Sequence, residues 1–153
     1  MTRLKAVFCV CSFVFSFLSI YESPAYGVKE EDLSPLESIP FQQFKSVDIR
    51  VGTIEKAEWN AETLKKGRIP AYRLEINFGP EVGVLVSSSQ LPKRESYSIE
   101  SLVGHQVIAV VNIPPRLVYG VNSQANVLGG YDEHGLPTLF VPHHPMPNGT
   151  RAQ

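Results

Sequence analysis

The chain has 153 residues, of which 43% are hydrophobic and 19% charged. That is room for one core of roughly 100 to 150 residues with appendages, not for two domains. A formal net charge of -1 excludes a chain whose overall field attracts polyanions, so any nucleic-acid contact has to come from local clustering.

The N-terminus reads as an address. MTRLK carries two positive charges, Ala6 to Tyr21 is a 16-residue apolar stretch, and ESPAYG supplies the small residues of a cleavage site near Gly27. Residues 1–27 are therefore expected to be a secretory signal peptide, the alternative being an uncleaved anchor; a spanning helix wants about 20 apolar residues. Cleavage implies the secretory pathway, or an organelle reached through it, and no stable membrane association afterwards. It also removes Cys9 and Cys11, the only cysteines, which rules out a disulfide or thiolate metal site in the mature chain. The mature chain keeps 12 basic and 14 acidic side chains, a net charge of -2.

Residues 28–40 (VKEEDLSPLESIP) are acidic and hold two prolines, the composition of a flexible arm. The domain is expected over residues 41–150. PFQQFKS fits one short helical turn. VDIRVGTI alternates, with Val47, Ile49 and Val51 on an expected core face and Asp48 and Arg50 opposite. AYRLEINF alternates likewise, Tyr72, Leu74, Ile76 and Phe78 against Arg73, Glu75 and Asn77. Gly79-Pro80 turns the chain into VGVLVSSS, where Val82, Val84 and Val86 alternate.

A short helix is expected at Ile99 to Val103. HQVIAVVNI follows as the most apolar strand, buried on both faces. SQANVLG and LPTLFVP complete the strands, and Gly129-Gly130 reads as a turn before YDEHG. Short strands, Gly and Pro turns and little helix indicate a small all-β Greek-key barrel or a sandwich.

Pairing of the first two strands would put Arg50 and Arg73 on one solvent side, with Lys45 before them and Lys65, Lys66 and Arg68 in the connecting loop. Barrels that bind oligonucleotides present such a face. On composition alone the better reading is an ordinary solvated face, with Glu55, Glu58 and Glu62 neutralising the lysines.

DIRVGTI, AYRLEINFGPEVG, SSSQL, LVGHQVIAVVNIPPR, SQANVLG and MPNG, in that order, resemble the CsaA-like family of tRNA-binding-domain proteins, itself similar to the tRNA-binding modules of methionyl- and phenylalanyl-tRNA synthetases. The resemblance covers about Phe41 to Gly149. It implies a five-stranded Greek-key oligonucleotide-binding (OB-fold) barrel, a homodimer, tRNA binding and, for bacterial members, chaperoning of unfolded or exported proteins; an enzyme is the distant third alternative, weakened by the lack of an acid/base or nucleophile constellation, and no cofactor is expected. The family usually has an apolar residue where Asn126 stands, and often Phe where Ile113 stands.

With that resemblance, Pro114-Pro115 is expected to end a strand and deliver Asn112 and Arg116 to the barrel rim. Ser123 and Gln124 then offer neutral polar groups to RNA, the alternative being that they satisfy buried backbone near the barrel end. Tyr119 is placed to stack on a base. Ser88 and Ser89 have the same two readings; Ser87 to Gln90 lack the elbow and the His and Asp partners of a nucleophile. The candidate RNA-binding residues are thus Lys45, Arg50, Arg73, Ser88, Ser89, Asn112, Arg116, Ser123 and Gln124. His143-His144 are not expected to hold a metal, because neighbours on a strand point to opposite faces. Leu139 to Pro142 are expected at a dimer contact. Asn148-Gly149-Thr150 is the one N-glycosylation sequon.

Overall fold

A computed structural model describes residues 34–64, 70–92 and 95–152. The expected signal segment, residues 28–33 of the arm, and Lys65, Lys66 and Arg68 lie outside the described residues. Residues 34–40 are exposed and form neither helix nor strand.

Helix α1 (Phe41–Lys45) leads into the long strand β1 (Ile49–Trp59). The turn α2 (Ala61–Leu64) precedes β2 (Ala71–Asn77) and β3 (Val84–Gln90). A 3-10 turn (Glu95–Tyr97) and α3 (Ile99–Leu102) lead to β4 (Gln106–Val110). Five short strands follow: β5 (Arg116–Val118), β6 (Val121–Ser123), β7 (Asn126–Val127), β8 (Gly129–Tyr131) and β9 (Pro137–Leu139). The main sheet is antiparallel in the order β3-β2-β1-β4-β7.

Residues 123–125 bring the two ends of that sheet together. Gln124 and Ala125 donate backbone N–H to the Val86 carbonyl at 2.7 and 3.3 Å, while β7 pairs with β4 on the other side. Two side chains complete the seam: Gln124 Oε1 accepts from Val86 N at 3.1 Å, and Ser123 Oγ accepts from Ser88 N at 3.2 Å. The result is a nearly closed all-β barrel with little helix, as expected for an OB-fold. Its interior holds Ile54, Tyr72, Leu74, Ile76, Phe78 and Val107, all without solvent exposure. Leu102 of α3 joins them, its helix capped by Ser98 Oγ, which accepts from Ser101 N at 3.1 Å.

The strand registers correct three expectations. Gly52 pairs with Val107 and Arg50 with Ala109, both partners fully buried, so the interior face of early β1 carries Arg50, Gly52 and Ile54 rather than Val47, Ile49 and Val51. Val51 on the opposite face is nonetheless only 6% exposed. Both faces are covered here, and alternation therefore does not identify the interior. In β3, Leu85 and Ser87 stand opposite Ile76 and Leu74 and face inward, leaving Val84 48% exposed. Within β4 only Val107 and Ala109 are fully buried; Ile108 and Val110 are half-buried.

Where β2 ends, the C-terminal residues take over the edge of β1. Val51 N donates to Thr150 O at 2.9 Å, Gly149 N to Val51 O at 2.8 Å, and Ala152 N to Ile49 O at 2.9 Å. The sequon residue Asn148 is part of this strap: its Oδ1 accepts from Thr53 Oγ1 at 2.7 Å and from Gln106 Nε2 at 3.3 Å.

Candidate nucleic-acid interface

Two hairpins stand on the barrel beside β3. In the first, β5–β6, Val118 pairs with Val121 across Tyr119-Gly120, whose φ values of 48° and 80° make the tight two-residue turn that suits twisted strands. Asn60 fixes it. Its Nδ2 donates to Tyr119 O at 2.8 Å while its Oδ1 accepts from Glu62 N at 3.0 Å, tying the hairpin to the end of β1.

The second hairpin overturns the turn expected at Gly129-Gly130. These residues are β8, paired with β9, and the turn is Asp132 to Gly135, with Asp132 Oδ1 accepting from His134 N and Leu136 N at 2.9 Å. Gly129 is needed for closeness rather than for a turn: a Cβ there would sit 2.3 Å from Thr138 O. Tyr97 holds this hairpin to the barrel, its hydroxyl 2.8 Å from Thr138 Oγ1 and accepting from Leu139 N at 3.3 Å.

Between β3 and the hairpins lies an open groove of about 640 Å³. Ser88, Ser89 and Gln90 line it from β3, Arg116 and Tyr119 from the first hairpin, Tyr131 and Thr138 from the second. Gln90 Nε2 donates to the Tyr119 hydroxyl at 3.3 Å, joining two walls. The Ser88 hydroxyl is buried without a hydrogen-bond partner. Arg116 is exposed, is the single basic residue among the described lining residues, and also borders a smaller recess of about 400 Å³ with Ile113, Pro114 and Asn126.

The nine candidate residues divide. Ser88, Ser89, Arg116 and Ser123 line the groove. Ser123 is only 8% exposed and its hydroxyl also donates to Ala125 O at 3.0 Å, so its polar groups, like those of Gln124, fasten the seam. Asn112 stands away from the groove: Oδ1 accepts from Asp48 N at 2.8 Å and Nδ2 donates to Ser46 O at 2.7 Å, stapling the approach to β1. Lys45 lies 5.8 Å from the Phe41 ring beside a cleft of about 320 Å³ that Phe44 and Arg151 also border.

Arg50 and Arg73 do not share a face. Arg50 follows the interior register, whereas Arg73 lies opposite Glu58 and Ser88 on the outer side. Along β1, Arg50 and Glu58, the partner of Arg73, are eight residues apart, about 26 Å. Each arginine is already ion-paired. Arg50 Nε meets Asp48 Oδ1 at 3.0 Å, a bond that raises its pKa further, and Asp48 also holds Arg151 at 3.3 Å. Arg73 Nη1 lies 2.5 Å from Glu75 and 3.6 Å from Glu58. Lys56, 2.6 Å from Glu58, lowers that carboxyl's pKa. For its described part, then, the expected basic face is a mosaic of pairs.

His143 and His144 also differ from expectation. β9 ends at Leu139, the chain bends, and the two rings meet at 4.4 Å. Among the described residues no group of three His, Cys, Asp or Glu side chains could hold a metal. Residues the sequence reading missed are Asn60, Tyr97, Tyr131 and Thr138. GGY and PTL flanking DEHG was the available hairpin signal.

Residues 49–151 match the family model described as "Putative tRNA binding domain". The chain belongs to the CsaA-like family of tRNA-binding-domain proteins. It is 44% identical to chaperone CsaA from Bacillus anthracis str. Ames, with a TM-score of 0.65, covering 76% of this chain and all of that one. A CsaA chaperone protein from Picrophilus torridus matches at 32% identity and a TM-score of 0.63, over 76% of this chain and all of that one. The methionine–tRNA ligase of Methanothrix thermoacetophila is 34% identical over 111 residues, 72% of this chain but 15% of the ligase. The chain thus spans about a sixth of the length of such ligases. Family membership accounts for the barrel that carries the groove.

Proposed function

We propose that this protein is a tRNA-binding module that holds RNA in the groove between β3 and the two hairpins and works by binding rather than catalysis. The observation that carries the reading is the groove itself: an open cleft with hydroxyls, tyrosines and one exposed arginine, on a chain of the tRNA-binding-domain family. Arg116 supplies charge for a phosphate, and the neutral groups supply orientation. Lys45, Arg50 and Arg73 take no direct part in this account.

The test is a titration of labelled tRNA at several salt concentrations. Binding is expected to weaken with salt, and Arg116→Ala to remove about one contact, a loss of roughly 0.7 from the log–log slope for single strands. Absence of salt-sensitive tRNA binding would overturn the proposal.

A chaperone role is the second reading. Phe140 and Val141 are 51% and 55% exposed after β9, and Leu117 is 77% exposed on the first hairpin, apolar surface of the kind that unfolded chains cover. Likeness to proteins named as CsaA chaperones supports it. Suppression of client aggregation, followed by light scattering, should survive Arg116→Ala. The same exposed segment favours a homodimer joined near Leu139 to Pro142, checked by sedimentation at micromolar concentration. We also propose export guided by residues 1–27; N-terminal sequencing of native protein starting near Val28 would support it, and an intact Met1 would reject it.

A further inference from the structure

We infer that the groove accepts an unpaired, unstacked nucleotide, with its base against Tyr131 and its phosphate at Arg116, rather than the backbone of a duplex. This rests on the RNA-binding reading and narrows it. Duplex RNA is held through many phosphate and sugar contacts, which call for several cations along the surface. Among the described residues the groove has one, Arg116, and the basic residues of β1 and β2 are held by Asp48, Glu58 and Glu75. A single base asks for something different: an aromatic face, a few neutral hydrogen-bonding groups and a concave volume.

The groove has each of these. Tyr131 borders it and is 53% exposed as a residue, the most exposed aromatic on the groove. Tyr119 supplies a second ring, held in its turn by Asn60 and Gln90. Ser89, Gln90 and Thr138 offer hydroxyl and amide groups to a base edge, and the unpartnered Ser88 hydroxyl is hydrogen-bonding capacity that the fold leaves unused. At about 640 Å³ the volume falls within the ~300–1,000 Å³ of clefts that take small ligands.

The experiment is a competition. Labelled tRNA on the full mature protein is challenged with an unstructured adenine-rich oligoribonucleotide of about ten nucleotides, within OB-fold site sizes, and with the perfect duplex of the same strand. Tyr131→Ala and Tyr131→Phe are measured beside wild type. The expected result is that the single strand displaces tRNA and the duplex does not. Tyr131→Ala should weaken tRNA and single strand alike by about ten-fold, the effect of losing one base–aromatic stack. The salt slope should stay unchanged, and Tyr131→Phe should restore binding. If tRNA binds but the duplex competes as well as the single strand, or Tyr131→Ala leaves affinity intact while its far-ultraviolet circular dichroism matches wild type, the inference is overturned and the RNA-binding reading stands. If the single strand binds with this dependence on Tyr131 but tRNA does not, the tRNA reading fails and the inference holds. Failure of both RNAs to bind overturns both.

Discussion

The sheet β1–β4 and the two hairpins beside it use their polar residues in opposite ways. On the sheet, charges are spent on neighbours: Arg73 on Glu75 and Glu58, Lys56 on Glu58, Arg50 on Asp48. The hairpins keep Arg116, Tyr131 and Asn122 exposed and reach the barrel through hydrogen bonds that include those of Asn60, Gln90, Tyr97 and Ser123. A surface is available for binding when its groups are not already paired, and charge content alone does not report that.

The largest effects should separate the barrel from its hairpins. Tyr72, fully buried against Trp59 and donating its hydroxyl to Tyr97 O, has a pKa pushed up by burial to about 12. A raised tyrosine pKa means stability complete below the unfolded value near 10 and lost as pH climbs toward 12. The loss should be on the order of 2–3 kcal/mol, read from denaturant midpoints across that range, and Tyr72→Phe should abolish this component. Gly129→Ala should cost about 1–3 kcal/mol by forcing β8 from Thr138, with the groove lost before the barrel unfolds. Equal protection of both regions in hydrogen exchange of that variant would contradict the division.

Ser123→Ala tests the seam, where barrel and hairpin meet. It leaves Ser88 N and Ala125 O without their partner and should cost about 1–2 kcal/mol in chemical denaturation. Arg116→Ala and Arg73→Ala form the sharpest pair for binding: the first should weaken tRNA binding several-fold and reduce the salt slope by about one contact, the second should leave the slope unchanged. The smallest effect belongs to Glu58→Gln, at an exposed pair with Lys56, whose melting temperature should stay within error of wild type.

Much of the barrel was legible in advance. Tyr72, Leu74, Ile76 and Phe78 alternate with charged or amide residues because one face of β2 is buried and the other wet, and the structure places all four at zero exposure. The short helix at Ile99 was readable from the break in alternation and the helical turn at Phe41 from PFQQFKS. Early β1 was not, because covering on both faces hides the interior, and an extra residue between Ile54 and Lys56 changes the register midway. In the candidate site, Arg116 and the serines of β3 were identified from the resemblance, but Tyr131 and Thr138 were hidden behind a glycine pair read as a turn.

Sequence by itself determined the strands with one wet face, the proline break before Arg116 and the family, since each depends on local order along the chain. Only tertiary structure decided which cations are consumed, which polar side chains become seam and which line a groove. Asn112 illustrates the reason: its amide is settled by Ser46 and Asp48, more than sixty residues away. Hydrogen bonding and ion pairing act across space at about 3 Å, and a sequence pattern has no term for partners brought that close by folding.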